Sequence, residues 1–535
     1  MGVEAVAPVA EPVARPAHRL RGPGVVLVAF AVSFAGAWNV SLWKDEADTL
    51  SAADRTVAQI WQLAQNLDAV HAAYYVAMHG WISLFGRSDV AVRLPSALAV
   101  ALTALGVLVL ADRLGLRRAA VPAALLCAVL PRLTWAGIEA RPFAFTALGA
   151  VWATVLVLSA VRRGGVLRWS AYALVAGASV AVNLFSVLVV VAHGVSLVVL
   201  RPRDRATWWG WTAASAGGVL LASPLVLRAL GQSGQLGDDP IGPGAIPRNV
   251  AVNQWFLGST PSPVSGGAEP ARAAWDVGGA WAVGAVLLAA VVWGLIAVAV
   301  VSGLRRVPAD GDRPDERLAL AWLLPWLLVP TAVVVGYTLV GGGVYNPRYL
   351  TMSAPAVALL AATGLRRLHP ARLQLAVAVL VVLLALPVWV SQRQVLGKSS
   401  SDWVLAAAHV QERSEPGQWV YFAPRTPPPP GATISPTTRY LATAYPDAFA
   451  GLEDLTLRVP GRLDGTLNGR SAPLDEGLAA AGARVGDLWA VWRTDYPADA
   501  LAAERALIED TGLRAVDRWL GPSTLVVEFS RGGDG

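Results

Sequence analysis

The 535-residue chain is poor in charge: only 15% of its residues are Asp, Glu, Lys or Arg. A soluble globular protein carries roughly 25%, so a wholly water-soluble chain is excluded. Lysine occurs twice, as Lys44 and Lys398. Cysteine occurs once, and Cys127, inside the apolar run AALLCAVL, has no partner for an internal disulfide. That excludes a disulfide scaffold. There is no GxxxxGK[ST] loop, no GxGxxG opening a helix and no CxxC pair. The GGGVY stretch at 341–345 lies between apolar runs and follows no strand, so it gives nucleotide binding no support.

What is abundant is apolar sequence: 55% hydrophobic residues and a mean hydropathy of +0.50. Length alone would suggest about three or four soluble domains. Composition instead predicts a polytopic helical membrane protein with a soluble appendage. The net charge of +6 and pI near 9.7 would point to nucleic acid in a soluble chain. Here the arginines sit in short loops between apolar runs, which is a topology signal, and no nucleic-acid partner is expected.

A membrane helix needs about 20 mostly apolar residues. Eleven runs qualify: 24–42, 89–111, 119–136, 142–161, 169–183, 184–200, 208–230, 277–303, 318–340, 350–365 and 372–391. The stretch 169–200 is read as two spans joined near Asn183, because some 30 apolar residues in one helix would overshoot the bilayer. The first run is an anchor, being too long and lacking a cleavage-type end for a removable signal. With the N-terminus in the cytoplasm, the inner connections carry Arg113, Arg117, Arg118, then Arg162, Arg163, Arg168, and three further arginine groups, while the short outer ones carry only Arg141 and Arg348. This is the positive-inside pattern. The expected organisation is a cytoplasmic tail (1–23), a membrane module (24–392) with outer loops at 43–88 and 231–276, and an extracytoplasmic domain (393–535). In the last, WVYFAP and LWAVWR read as buried strands and ALAAERALIEDTG as a helix ending at a glycine, which predicts a small α/β domain. PPPPG (427–431) reads as a rigid turn.

The outer side also collects the residues able to do chemistry. WKDEADT (43–49) follows the first span, and carboxylates at the membrane surface need a function or a partner. If the segment is helical, Asp45, Asp48 and Thr49 share a face and Glu46 points about 100° away. At most one of the adjacent pair then meets a given substrate; the bland alternative is a solvated helix cap. Downstream, residues 60–86 are amphipathic and read as one or two interfacial helices carrying Asp68, His71 and Tyr75. His71, Tyr75 and His79 follow an i, i+4, i+8 spacing that could seat a metal, but no HExxH accompanies it. Hydrogen bonding to a polar ligand or interface anchoring is expected instead; no metal is required, and a divalent ion stays open. Arg141, beside Glu139 in GIEARPF, and Arg348, between Tyr345 and Tyr349 in VYNPRYL, lie near the headgroup plane, where guanidiniums can hold a phosphate. Lys398, in KSSSDWV, is placed to reach a lipid phosphate, and Lys44 to tune Asp45. A catalytic site outside the cell has no ATP or nucleotide sugar, so an activated donor must arrive in the membrane.

The order WKDEADT after the first span, DAVHAAYY, a W…FG…D…RLPSAL run (81–98), EARPF and a late PRYL resembles the polyprenyl-phosphate-sugar glycosyltransferases of the GT-C superfold, closest to the bacterial protein-O-mannosyltransferase-like branch of actinobacterial type. The resemblance covers roughly 25–400, and the acidic pair and RLPS are its most specific parts. It implies an outer active site, a polyprenyl-phosphate donor between helices and a carboxylate base at Asp45 with Glu46 as its neighbour. Arg141, Arg348 and Lys398 are then the donor-phosphate candidates, and Asp68, His71, Tyr75, Glu139, Tyr345 and Tyr349 the substrate contacts. Many members have His-Pro-Pro where this chain has His71-Ala72-Ala73, which leaves the local backbone less constrained. The expected function is inverting transfer of a sugar, mannose by family default, to a glycan, lipoglycan or protein of the cell envelope at the plasma membrane. Arabinofuranosyl transfer, a lipid or polysaccharide transporter and an inert scaffold are the alternatives. Against a transporter, the spans are nearly free of charge and show no paired repeats.

Overall fold

The structure, a computed structural model, describes residues 21–232, 242–257, 280–305, 316–424 and 437–531. Nearly all of the expected tail (1–23), most of the 231–276 loop and the PPPPG turn at 427–431 lie outside these residues.

Every one of the eleven apolar runs contains helix. In chain order the helices are α1 (Arg21–Phe34), α2 (Lys44–Ala53), α3 (Val57–Asn66), α4 (Ala72–Phe85), α5 (Asp89–Arg113), α6 (Ala120–Val129), α7 (Pro131–Ala136), α8 (Phe143–Arg163), α9 (Val166–Val182), α10 (Val187–Leu200), α11 (Arg205–Gly231), α12 (Ala280–Leu304), α13 (Glu316–Tyr337), α14 (Ala354–Leu365) and α15 (Ala371–Gln392). Among the described residues, six helices are long and apolar enough to cross a membrane alone. Leu220, Leu221, Leu375 and Leu383 stand exposed on α11 and α15, as a lipid-facing surface requires. Small residues bring helices close: a Cβ on Gly177 of α9 would lie 2.7 Å from the Gly218 carbonyl oxygen of α11.

Three runs are shorter or more broken than expected. The first is helical only to Phe34, although its apolar character runs on to 42. Gly36 turns the chain at φ 78°, and a side chain there would collide with Arg393. The freed carbonyls are not orphaned: Arg393 Nε donates to Ala35, and Arg93 donates to Ala37, Val40 and Ser41. The 119–136 run breaks at Leu130, before Pro131. The 350–365 run opens as a 3-10 helix (Pro347–Ser353) before α14. At Asn183 the chain does break between α9 and α10, where the length argument put a joint.

The C-terminal region is the α/β unit expected. Its strands are β1 (Trp419–Phe422), β2 (Glu453–Asp454), β3 (Leu457–Val459), β4 (Arg470–Ser471), β5 (Asp487–Arg493), β6 (Arg514–Leu520) and β7 (Thr524–Ser530). Five form one sheet in the order β2-β1-β5-β7-β6, parallel across β2-β1-β5 and antiparallel across β5-β7-β6. WVYF is β1, LWAVWR lies in β5, and the expected helix is Ala498–Glu509. This unit packs against the segment that carries α2 and α3. Asn66 donates to the Gly465 carbonyl, Arg55 to that of Thr466, and the Leu42 amide to the Tyr445 hydroxyl.

Candidate active site

Helix α2 starts where the arginine-held turn ends, and its first turn carries Asp45 and Glu46, whose charge suits a helix N-terminus. The 100° between them sends the two carboxylates to different places. Glu46 is fully buried and takes a two-pronged ion pair from Arg93 of α5, at 2.8 and 2.7 Å. It also accepts the Ala140 amide at 3.0 Å and lies 3.4 Å from Lys398 Nζ. Both carboxylate oxygens are thus hydrogen-bonded, while the Lys398 Nζ itself has no hydrogen-bond partner. Burial pushes the Lys398 ammonium down to about 8, with Glu46 and Glu139 working against that fall.

Asp45 meets a different partner. Arg348 Nη1 donates to its Oδ2, and both side chains keep some exposure, 12% for Asp45 and 17% for Arg348. Burial disfavours the charged carboxylate, but Arg348, Arg141, Lys44 and His71 outweigh it and hold Asp45 well below the usual range. The loop NPRYL fixes Arg348: the Asn346 side chain accepts its backbone amide, and Pro347 sets the first turn of the 3-10 helix. The guanidinium stands 5.3 Å from the Trp43 ring centre and 5.6 Å from that of Phe143. Tyr349, next along, stacks on Phe185 at 5.2 Å.

Arg141 anchors a second chain of contacts. It donates to the Tyr75 hydroxyl at 3.1 Å; Tyr75 donates to Asp68, which also bonds His71 Nδ1 at 2.6 Å. Asp68 makes both contacts from a left-handed backbone, φ 58°, a conformation Asp tolerates better than most residues. The Nε groups of both Arg141 and Arg348 are buried with no hydrogen-bond partner. Unpaired buried donors are costly, and each of these guanidiniums keeps one donor that an oxygen acceptor could satisfy.

Asp48 shares the Asp45 face. Its Oδ2 pairs with Lys44 at 3.2 Å and its buried Oδ1 is free of hydrogen bonds. Burial raises its carboxyl to about 6, against the pull of Lys44 and Arg141 and with help from the charges of Asp45 and Asp68. Beside α2 a cavity of about 270 Å³ opens between the start of α2 and the C-terminal α/β unit, with Asp45 in its wall.

The sequence-derived candidates therefore divide. Asp45, Arg348, Arg141, Tyr75, Asp68 and His71 form one connected cluster, with Tyr349 at its edge. Glu46 is placed away from the cavity wall. Lys398, expected to reach a phosphate, lies 3.4 Å from Glu46 at zero exposure, its Nζ without a hydrogen-bond partner. Glu139 is buried beside Lys398 and Arg348 in charge terms but makes no ion pair with Arg141. Tyr345 turns its hydroxyl to Gln254, at 2.9 Å. His79 bonds the Ala53 carbonyl, whereas His71, the N-cap of α4, bonds Asp68. Among the described residues no three His, Cys, Asp or Glu converge as a metal site. Sequence reasoning gave Arg93 no role, although a lone arginine inside an apolar run demands a carboxylate. It also passed over Trp43 and Trp403, which line the cavity and occurred only inside the WKDEADT and KSSSDWV segments.

Residues 72–227 match the family model described as dolichyl-phosphate-mannose-protein mannosyltransferase, a stretch well short of half the chain. No curated protein sequence matches. The structure is similar to that of ArnT from Cupriavidus metallidurans, solved apo (14% identity, TM-score 0.57) and bound to undecaprenyl phosphate (16% identity, TM-score 0.54). Each comparison covers 96% of this chain and 98% of the ArnT chain. The arabinofuranosyltransferase AftD from Mycobacteria is more distant, at 18% identity and a TM-score of 0.47, with 98% of this chain and 42% of that one covered. Motif order, family model and backbone agree, and the chain has the GT-C glycosyltransferase fold.

Proposed function

We propose that the protein transfers a sugar, mannose on the description of its family model, from a polyprenyl-phosphate donor to a cell-envelope acceptor on the outer face of the plasma membrane. The observation that carries this reading is the Asp45–Arg348 pair with two unsatisfied guanidinium Nε donors around it. A carboxylate and two cations with spare donors suit the two ends of one displacement: a proton to be taken and a phosphate to be released. That ArnT, of like fold, binds undecaprenyl phosphate supports a lipid phosphate as the ligand.

In the proposed step the acceptor hydroxyl oxygen attacks the anomeric carbon and forms the new glycosidic bond. The bond from that carbon to the phosphate oxygen breaks, and polyprenyl phosphate leaves with the electron pair. Asp45 takes the hydroxyl proton. Arg348 and Arg141 neutralise the leaving phosphate. In-line attack inverts the anomeric centre. The resting pair explains the order of events: while Arg348 holds Asp45, the carboxylate is a weak base. An arriving phosphate competes for Arg348, and Asp45 gains basicity as it loses that partner. The aromatic group of Phe143, Phe185 and Tyr349 beside Arg348 suits the first isoprene units.

The test is transfer by the purified protein in nanodiscs from radiolabelled polyprenyl-phosphate mannose, with polyprenyl-phosphate arabinofuranose in parallel, to isolated envelope material. Mannose should move into a product no longer lipid-linked, and Asp45→Asn should reduce the rate by about 10²–10⁴-fold. Absence of transfer from either donor overturns the reading.

A further inference from the structure

The cavity beside α2 has one wall from the membrane module (Trp43, Lys44, Asp45) and the other from the outer domain (Trp403, Thr438, Ser523, among others). Asp45 both lines it and pairs with Arg348, whereas Arg348 and Arg141 do not line it. A molecule in the cavity therefore meets the carboxylate without displacing the arginines. That is the relation an acceptor must have to a base whose other neighbours hold the donor.

The wall chemistry narrows the occupant. Of its cations, Lys44 pairs with Asp48 and Arg493 with Asp495, while Lys398, which shares Glu46 with Arg93, is at zero exposure. An anionic ligand would find no exposed cation without an ion pair. The wall also presents hydroxyls, among them Ser399, Thr437 and Thr438, together with aromatic rings. Of the two partly exposed tryptophans, Trp43 has cations over its ring, Arg348 at 5.3 Å and Lys398 at 6.0 Å. Trp403 is braced by parallel packing on Tyr440, centroids 6.5 Å apart and planes 9° apart. Its place is fixed as well by its neighbour Asp402, whose buried carboxylate accepts the backbone amides and hydroxyls of Ser523 and Thr524. A rigid indole face among hydroxyls, in a space of 270 Å³, suits the apolar face of a sugar ring.

We infer that this cavity is an acceptor subsite for a neutral saccharide, with Trp403 as its stacking platform, so that the outer domain supplies half of the acceptor site. The inference rests on the proposed glycosyl transfer and names its acceptor class as glycan, not protein or phosphorylated sugar.

Tryptophan fluorescence of the full chain in nanodiscs, without donor, tests it. The probes are mannotriose, arabinofuranotriose, mannose 6-phosphate and a Ser/Thr-rich peptide. One of the neutral trisaccharides should quench saturably. Trp403→Leu, which keeps apolar packing but removes the aromatic face, should weaken that binding about tenfold or more, and Trp403→Phe should restore it to within about threefold. Undecaprenyl phosphate binding, measured in parallel, should be the same in all three proteins. Binding of neither trisaccharide, binding of the peptide or the phosphorylated sugar alone, an unchanged Kd in Trp403→Leu, or loss of lipid phosphate binding in that variant each overturns the inference. A failure of the proposed transfer shows separately, as wild-type protein that binds the saccharide but moves no sugar.

Discussion

The two faces of α2 carry adjacent carboxylates with opposite fates. Glu46 faces inward and is sealed: its guanidinium partner is as buried as it is, the geometry is two-pronged, and a backbone amide adds a third hydrogen bond. Asp45 faces the cavity, holds one arginine by one nitrogen, and leaves that arginine with an unused donor. A fully satisfied buried pair has nothing left to offer a ligand; an incompletely satisfied one at a cavity wall does. The comparison separates a residue that builds the site from one placed to work in it, which their adjacency in the sequence hides.

The comparison can be broken at several points. The largest effect is expected on the sealed face. Arg93→Ala leaves Glu46 charged, buried and short of its main partner, and strips the carbonyls of Ala37, Val40 and Ser41 of their donor, so about 3–5 kcal/mol of stability should go. Thermal unfolding in detergent measures it, and a variant as stable as wild type would remove Glu46 from the structural side. Next comes Asp48. Its carboxyl is raised to about 6 from an ordinary 3.8, so the folded state binds its proton more tightly than the unfolded chain does. The sign follows: wild type should lose stability relative to Asp48→Asn as pH rises from about 4 to about 6, by at most about 3 kcal/mol. Parallel melting curves across that range check it, and a difference that does not vary with pH counts against the shift. Smaller again is Arg348→Ala on the cavity face, which should weaken undecaprenyl phosphate binding about 10- to 100-fold, or about 1.4–2.7 kcal/mol, with a smaller fall in melting temperature than Arg93→Ala, because Arg141, Lys44 and His71 still face Asp45. An unchanged lipid affinity dissociates Arg348 from the phosphate.

Much of the fold was legible because apolar periodicity and arginine placement are strong, local signals. The eleven runs all contain helix, and the strand–helix alternation after residue 393 appears as a sheet domain. What the sequence could not show were helix ends decided by distant partners. The first run stops at Phe34 because Arg93 and Arg393, far along the chain, take over its carbonyls. The site was legible to the same degree. Helical spacing separated Asp45 from Glu46, and a shortage of outer arginines singled out Arg141 and Arg348. Lys398 could not be placed, since its partner lies 352 positions away and only tertiary packing brings them together. The cavity was invisible for the same reason: its walls come from both ends of the chain.

The account turns on the competition between Asp45 and a lipid phosphate for Arg348, and one variant reads both sides of it. Asp45→Asn removes the charge that occupies Arg348 while keeping the side chain's shape. The prediction is tighter undecaprenyl phosphate binding than wild type together with loss of sugar transfer, measured on the same preparation. Weaker or equal lipid binding with transfer retained would contradict it.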